Sequence, residues 1–254
     1  MIETQRFFFF TLVLMRMFGF VFFNPIFGRR NIPAIVKAGL AMVLTVVVYT
    51  FTDESLLMPT TTLEYGVLLL KEAAIGYVLG FAISLFLYVI IFAGEFIDMQ
   101  MGLSMSKIYD PQSNTSISLS ATFYNALFLM LFFASGAHLT LLKVILTSAE
   151  VVPYGSVVIH SGISQSIIDL FSTCTVMAMR FAFPIFAAEL LCEVGVGILM
   201  KTIPQINVFV VNIQLKVFLG LMLMLLMFSP MAEYLGKMIG TMLENLGAIL
   251  AMLG

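Results

Sequence analysis

The chain has 254 residues, 61% of them hydrophobic and 10% charged, with a formal net charge of −2 and a mean hydropathy of +1.09. A soluble domain of this size does not need so much apolar surface, so the composition indicates an integral membrane protein. The small net charge and the lack of basic runs argue against a nucleic-acid-binding protein, because proteins of that class carry a basic patch.

Six apolar segments are long enough to be compared with a membrane-spanning helix, which needs about 20 residues. They run approximately over residues 7–27, 34–51, 63–97, 121–146, 167–200 and 206–228. The third and the fifth exceed the length that a bilayer requires, so each is expected to tilt, kink or project beyond it. The sequence therefore predicts an all-α membrane protein of about six hydrophobic helices arranged as hairpins, some of them kinked or re-entrant.

The C-terminal tail from Met231 onward has a different periodicity. Its apolar residues recur every three or four positions, which is typical of an amphipathic helix, and Pro230 after Ser229 suits a helix start. Glu233 and Lys237 lie one turn apart and are expected to pair on the polar side. We expect this helix to dock on a partner or to lie at the membrane interface rather than to span it.

Charged residues interrupt the apolar segments, although a charge near the bilayer centre costs about 2.5–3.5 kcal/mol on insertion scales. Glu189 and Glu193 share one helix face and would repel each other in a dry site unless one were protonated or a cation lay opposite. One interpretation is a proton or cation site. The other, which we favour, is pairing with basic residues of neighbouring helices in an assembly. The candidate charged or polar partners are Arg16, Glu95, Asp98, Arg180, Glu189, Glu193, Lys201 and Lys216.

Glycines spaced four residues apart are typical of helices that approach each other closely. Gly76 and Gly80 have this spacing in the third segment, and Gly236 with Gly240 have it in the tail. The spacing fits packing within the chain as well as contact between subunits.

No sequence motif indicates catalysis, a metal ion or a cofactor. Cys174 and Cys192 lie in apolar stretches, where a free cysteine usually acts as a small hydrophobic side chain. His138 and His160 are isolated from any ligand-like spacing. We therefore expect a protein that is not an enzyme.

A polar and methionine-rich stretch over residues 99–116 reads MQMGLSMSKIYDPQSNTS. It is too apolar for a solvated linker, yet its serines, its Asp-Pro pair and its asparagine make it a poor continuation of a spanning helix. Non-helical backbone at membrane depth is tolerated only where it is buried in protein or lines a cavity. The alternative is a loose loop outside the membrane.

Two stretches together resemble the FliR family of flagellar export-gate proteins and its counterparts in virulence type III secretion. The first, over residues 94–114, reads GEFIDMQMGLSMSKIYDPQSN and is similar to the Gly-Glu, Gln-Met-Gly-Leu-Ser and Asp-Pro pattern of the family. The second, over residues 195–221, reads GVGILMKTIPQINVFVVNIQLKVFLGL and is similar to its Pro-Gln, Asn-Val-Phe-Val and Leu-Lys pattern. Gln214 stands where the family commonly has a proline, which removes the basis for a kink there. The resemblance covers nearly the whole chain.

The resemblance implies a subunit of the flagellar type III export gate in the bacterial inner membrane, within the basal body. FliR-like proteins assemble with FliP and FliQ into the channel entrance for unfolded export substrates, with FlhB and FlhA adjacent and no cofactor. It also implies one FliR-like domain over residues 1–254, with a FliP-like part over about 1–165 and a FliQ-like part over 166–254, and helical hairpins lifted largely out of the bilayer plane.

The resemblance also implies a plug that holds the pore shut against ions while substrate is absent. Methionines suit such a seal because they are flexible and apolar. The predicted plug residues are Met99, Gln100, Met101, Gly102, Leu103, Ser104, Met105, Asp110 and Pro111, and the predicted kink motif is Pro204, Gln205 and Asn207.

Two other function classes stay open from the residues themselves. A self-contained secondary transporter would use the buried carboxylates, although the two halves of the chain show no matching repeat. A scaffold or insertase-like factor would have no pore of its own. Dependence on partners separates the three classes, because a gate subunit is inert alone and a transporter is not.

Overall fold

The structure is a computed structural model that describes residues 2–52, 61–103, 108–110, 115–156, 162–202 and 208–253. These residues form mainly α-helices and, after the third helix, a short antiparallel pair of strands. In chain order the elements are α1 (Ile2–Phe23), α2 (Ala34–Phe51), α3 (Thr62–Met101), β1 (Ile108–Asp110), β2 (Thr115–Ile117), α4 (Leu119–Ala134), α5 (Ala137–Leu146), α6 (Ser148–Val151), α7 (Gly162–Thr202), α8 (Val208–Leu226) and α9 (Phe228–Leu253).

The predicted all-α architecture is confirmed. Within the described ranges, four helices are long and apolar enough to cross a membrane: α1, α2, α3 and α7. Two bent pairs, α4 with α5 and α8 with α9, raise that number to six if each pair counts as one span. The Pro-Gln kink motif at Pro204, Gln205 and Asn207 lies outside the described residues.

The fourth predicted segment is not one helix, because it breaks at Gly136. Gly136 has a φ of 73°, a left-handed conformation that a residue with a Cβ rarely adopts. The Ser135 N–H still donates to the Leu131 carbonyl oxygen (2.9 Å), and the Leu139 N–H donates to the Gly136 carbonyl oxygen (2.9 Å). The break therefore keeps the backbone hydrogen-bonded on both sides.

The C-terminal amphipathic helix is confirmed as α9, which begins at Phe228, slightly earlier than predicted. Its exposed polar side carries the expected ion pair between Glu233 and Lys237, with 2.7 Å between Oε1 and Nζ. Its apolar side is buried in the chain, so the expectation that this side docks on a partner or on lipid is wrong. The buried residues of this side include Met231, Leu235, Met238, Met242, Leu246, Ile249 and Leu253.

The chain divides into two compact units and passes from one to the other after Phe86 in α3, after Ser135, after Phe171 in α7 and after Ile239 in α9. The first unit contains residues 1–86, 136–171 and 240–254, and the second contains residues 87–135 and 172–239. In the second unit, the rings of Tyr124 and Phe181 meet edge to face at 4.8 Å between centroids. The predicted division into a FliP-like and a FliQ-like part is a statement about likeness to other proteins. The two compact units do not test it, so it stays a prediction.

Glycines bring α1 and α3 into close contact in the first unit. A Cβ added at Gly76 would collide with the Arg16 carbonyl oxygen, and one at Gly80 would lie 2.8 Å from the Phe23 carbonyl carbon. Gly236 and Gly240 differ, because no described atom lies within 4 Å of a Cβ placed at either position. The predicted glycine pairs therefore have opposite environments: one is packed within the chain and the other is open.

Candidate functional site

Residues 103–118, here called the central loop, leave α3 at a glycine turn. Gly102 has a φ of 79°, and its N–H donates to the Met99 carbonyl oxygen (3.3 Å) while the Leu103 N–H donates to the Asp98 carbonyl oxygen (2.8 Å). This pair of bonds is the Schellman arrangement, which satisfies the last carbonyl groups of a helix and ends it. Helix α3 therefore ends at Met101 because Gly102 adopts a left-handed conformation, and not because the hydropathy changes there.

The central loop returns to the same place at the start of α4. The Ser118 hydroxyl accepts from the Ala121 N–H (3.2 Å) and so caps the helix. The carboxylate of Asp98, only 1% exposed, accepts from the Ser120 N–H at 3.2 and 3.3 Å and from the Ser120 hydroxyl. Asp98 thus binds both ends of the loop, one through its backbone and the other through its side chain.

Asp98, Leu103, Ser118 and Ser120, where the loop leaves α3 and enters α4, are here called the base of the loop. Two glycines allow close packing around this base. A Cβ added at Gly94 in α3 would collide with the backbone of Ala121 in α4. A Cβ added at Gly220 in α8 would lie 2.5 Å from the Met101 Cγ and Cε atoms. The end of α3 is therefore in direct contact with both α4 and α8.

Within the central loop, β1 and β2 pair in antiparallel register. Ile108 lies opposite Ile117, Tyr109 opposite Ser116, and Asp110 opposite Thr115. The pairing satisfies part of the backbone without a helix, as a loop within a membrane protein requires.

The predicted plug residues fall into different environments. Met99, Gln100 and Met101 form the last turn of α3 rather than part of the loop. Met101 is fully buried beside Gly220, whereas Met99 is 64% exposed. Ser104, Met105 and Pro111 lie outside the described residues. Met101 of α3 is therefore already packed against α8, and a seal formed by Met99, Met101 and Met105 stays a prediction.

A chain of polar contacts lies beside the base of the loop. The Gln100 Nε2 donates to the Glu193 Oε2 (3.5 Å), and the Lys216 Nζ lies 2.8 Å from the Glu193 Oε1. Glu193 and Lys216, which were predicted to contact other subunits, therefore contact each other. Among the remaining predicted partners, Arg180 and Lys201 are exposed and Glu95 is half-buried.

Glu189 stands apart from this chain of contacts. Its side chain is fully buried in α7, and within the described ranges neither carboxylate oxygen has a hydrogen-bond partner. The nearby ammonium of Lys216 is already engaged by Glu193. Glu189 therefore keeps the proton or cation interpretation open.

Arg16 has its partners within the first unit, where its guanidinium is fully buried. Its Nε lies 2.6 Å from the Glu72 Oε2, its Nη1 donates to the Ser148 hydroxyl (3.2 Å) and to the Val152 carbonyl oxygen (2.9 Å), and its Cζ lies 4.0 Å from the centre of the Tyr154 ring. The packing of this chain therefore gives no support to the prediction that Arg16 contacts another subunit.

The ring of Tyr154 and the carboxylate of Glu72 complete this buried cluster. Burial raises the pKa of Tyr154 to about 12, so its ring faces the guanidinium as a neutral phenol. The Glu72 Oε1 accepts from the Gly155 N–H (2.9 Å). The cluster joins α1 and α3 to α6 and to the turn that follows it.

The sequence analysis missed several residues around Arg16 and around Asp98. It did not assign Glu72 to Arg16, and it gave no role to Ser120, Gly94 or Gly220. For Ser120 the available signal is the pattern Ser-Leu-Ser after the polar stretch, which is typical of a helix start. No group of three or more His, Cys, Asp or Glu side chains that could hold a metal occurs in the part of the chain that the structure describes.

The contact between Glu193 and Lys216 predicts a measurable but small coupling. Because their side chains are 45% and 19% exposed, each neutralising variant, Glu193→Gln or Lys216→Met, is expected to lower stability slightly, with a coupling of about 0.2–1 kcal/mol. A double-mutant cycle on unfolding in detergent measures this coupling. Strictly additive effects would contradict the contact.

Comparisons with known proteins cover nearly the whole chain. It is 28% identical to the flagellar biosynthetic protein FliR of Bacillus subtilis, over 96% of this chain and 95% of that protein. It is 26% identical to FliR of Escherichia coli, over 92% and 90%, and 27% identical to FliR of Aquifex aeolicus, over 88% and 87%. The resemblance inferred from the sequence is thereby confirmed. Because the sequence pattern of the family described as bacterial export proteins, family 1, matches residues 7–242, the chain belongs to that family.

Proposed function

We propose that this chain is a non-enzymatic subunit of the flagellar protein export gate in the bacterial inner membrane. In this proposal it assembles with FliP and FliQ to form the channel entrance for unfolded substrates, next to FlhB and FlhA. The match to an export family over residues 7–242 carries the proposal. The likeness to FliR proteins over most of their length supports the flagellar assignment. The FliP-like and FliQ-like parts, divided near residue 165, belong to the same proposal.

The central loop is the proposed plug. Its two ends meet at Asp98, so the chain leaves the helices and returns at one point. Its strands satisfy part of their own backbone, which non-helical chain needs if it is to sit in a pore surrounded by lipid-facing helices. A loop of this kind can close an aqueous path without a side-chain site for substrate.

Shortening the central loop tests the plug. We expect that replacing residues 104–116 by a short Gly-Ser linker leaves the complex with FliP and FliQ intact but raises the ion conductance of the membrane. The linker spares Leu103 and Ser118, so the glycine turn and the helix cap remain. A control variant with residues 53–60 shortened in the same way should conduct no more than the parent. Unchanged conductance in an intact complex with the shortened central loop would contradict the plug.

Assembly is tested separately by co-expression with FliP and FliQ and measurement of the native mass in mild detergent. One complex of fixed composition supports the gate subunit. Arg180 and Lys201 are the exposed basic side chains proposed to contact the partners, so Arg180→Glu or Lys201→Glu should reduce co-purification. Loss of co-purification in neither variant would remove both residues from the proposed interface.

The second candidate, a self-contained secondary transporter, is favoured by one observation. Glu189 is a fully buried carboxyl group whose oxygens have no hydrogen-bond partner among the described residues, as in sites that take up a proton or a cation. The purified chain in liposomes separates the two functions. Ion-coupled uptake without partners that is lost in Glu189→Gln would favour the transporter, whereas an inert chain favours the gate subunit.

A further inference from the structure

We propose that a cavity at the end of α2 is a binding site for a phospholipid whose headgroup carries an ammonium group. The cavity has a volume of about 470 Å³ and lies between the last residues of α2 and the segment where α5 passes into α6. All of its lining residues belong to the first unit. The site is independent of the proposed export function, because its ligand is a component of the membrane and not an export substrate.

The polar side of the cavity attracts positive charge. Helix α2 ends here with no basic residue in its last turn, and Thr52 continues the chain in an extended conformation. The last four carbonyl groups of a helix have no partner within it, and they form the negative end of the helix dipole. Among the described residues that line the cavity, Glu150 is the one with a charged side chain, and it is exposed. The helix end and the carboxylate therefore both favour a cation.

The remaining walls of the cavity are apolar. Val47, Val48 and Leu146 form these walls, and the ring of Phe51 beside them is 86% exposed. A hydrated metal ion gains nothing from such walls. An ammonium group on an alkyl chain is attracted to a carboxylate and to an aromatic face, and its methylene groups are removed from water by the valine and leucine side chains. The cavity therefore suits an amine with an apolar body.

The outer face of α2 connects this cavity with the lipid. Val43, Val46 and Val47 are exposed and share one face of the helix, and Val47 also lines the cavity. The 18 residues of α2 are long and apolar enough to cross a membrane, so the end of the helix lies at the level of the headgroups. Acyl chains can lie along the valines while the ammonium group enters the cavity. A basic side chain of a protein partner would not need this continuous apolar face.

Native mass spectrometry of the purified full-length chain in mild detergent tests the site. Equal amounts of phosphatidylethanolamine, which carries an ammonium group, or of phosphatidylglycerol, which does not, are added to the protein. We expect the chain to retain phosphatidylethanolamine preferentially. Glu150→Gln should lower this preference by about two- to fivefold, which corresponds to the loss of one exposed ion pair. Glu244→Gln, which neutralises an exposed carboxylate of α9, is the matched control and should bind like the parent.

Two results of this experiment would overturn the proposal. The first is equal retention of the two phospholipids by the parent chain. The second is an equal effect of Glu150→Gln and Glu244→Gln, because the lipid would then respond to the net charge of the protein and not to this cavity. Ala149→Phe adds a test of shape, since it fills the cavity and keeps Glu150. It should also reduce the retention of phosphatidylethanolamine, and unchanged retention would contradict binding inside the cavity.

A crosslinking experiment in cells distinguishes a lipid from a protein in the cavity. A photoreactive amino acid in place of Phe51 should capture phospholipid when the cells are illuminated. Capture of a protein instead would overturn the lipid assignment and identify the cavity as a contact with another subunit. None of these outcomes decides whether the chain assembles with FliP and FliQ, so failure of the lipid site leaves the proposed function untouched.

Discussion

Replacing Glu72 by glutamine is expected to lower the free energy of unfolding by about 3–5 kcal/mol, because it leaves the guanidinium of Arg16 as a buried charge without a counterion. Both side chains are fully buried and lie 2.6 Å apart. The remaining contacts of Arg16, to Ser148, Val152 and the Tyr154 ring, carry no negative charge. Unfolding of the purified chain in detergent with increasing sodium dodecyl sulfate measures the loss.

The chain offers a matched control for this prediction. Glu233 and Lys237 form an ion pair of nearly the same length, 2.7 Å, but their side chains are 69% and 71% exposed. Glu233→Gln should therefore lower the stability only slightly, and far less than Glu72→Gln does, because water screens the exposed pair. If Glu72→Gln and Glu233→Gln lowered the free energy of unfolding equally, burial would not be the reason that the Arg16–Glu72 pair stabilises the protein. Recovery of stability when Arg16 and Glu72 are both replaced by apolar residues of similar volume would support the role of burial.

Alanine at Gly76 is expected to destabilise the protein by about 1–3 kcal/mol, which is the usual effect of overpacking. The added Cβ would collide with the Arg16 carbonyl oxygen and would lie 2.5 Å from the Phe20 nitrogen. Both are backbone atoms of α1, so neither can turn aside as the end of a side chain can. The helices must move apart instead, and this also disturbs the ion pair of Arg16.

Gly240→Ala is expected to stabilise the protein, whereas Gly76→Ala destabilises it. No described atom lies within 4 Å of a Cβ at that position, and alanine is favoured over glycine inside a helix by about 0.5–1 kcal/mol. The two alanine variants are compared by their unfolding midpoints in the same detergent. A loss of stability at Gly240 as large as that at Gly76 would contradict the open environment, and a neutral Gly76→Ala would contradict the close approach of α1 and α3.

Hydropathy predicts most of the helices in this fold because lipid demands long apolar segments. The predicted segment over residues 34–51 coincides with α2. The end of α1 and the start of α7 each fall within a few residues of the predicted position. The break at Gly136 was missed because apolar residues lie on both sides of it, so the hydropathy does not change there. The local signal is the Ser-Gly pair, whose second residue takes a left-handed conformation.

The partners of the charged residues are harder to predict than the helices. Sequence alone indicates that Arg16 needs a counterion, but Glu72 is 56 positions away in the chain, and helix periodicity links only neighbours three or four residues apart. The same limit applies to Asp98 and Ser120, which lie on different helices. Glu193 and Lys216 were both recognised as candidates, yet their contact with each other depends on the packing of α7 against α8.

Because both ends of the central loop are bonded to Asp98, the length of the loop limits how far it can extend from that residue. Leu103 to Ser118 is about 16 residues, and a chain that goes out and comes back uses about half of them in each direction, at about 3.3 Å per residue. The tip can therefore extend no farther than about 26 Å from the base. In an assembled channel, the axis must pass within this radius of Asp98 for the loop of a single subunit to cross it.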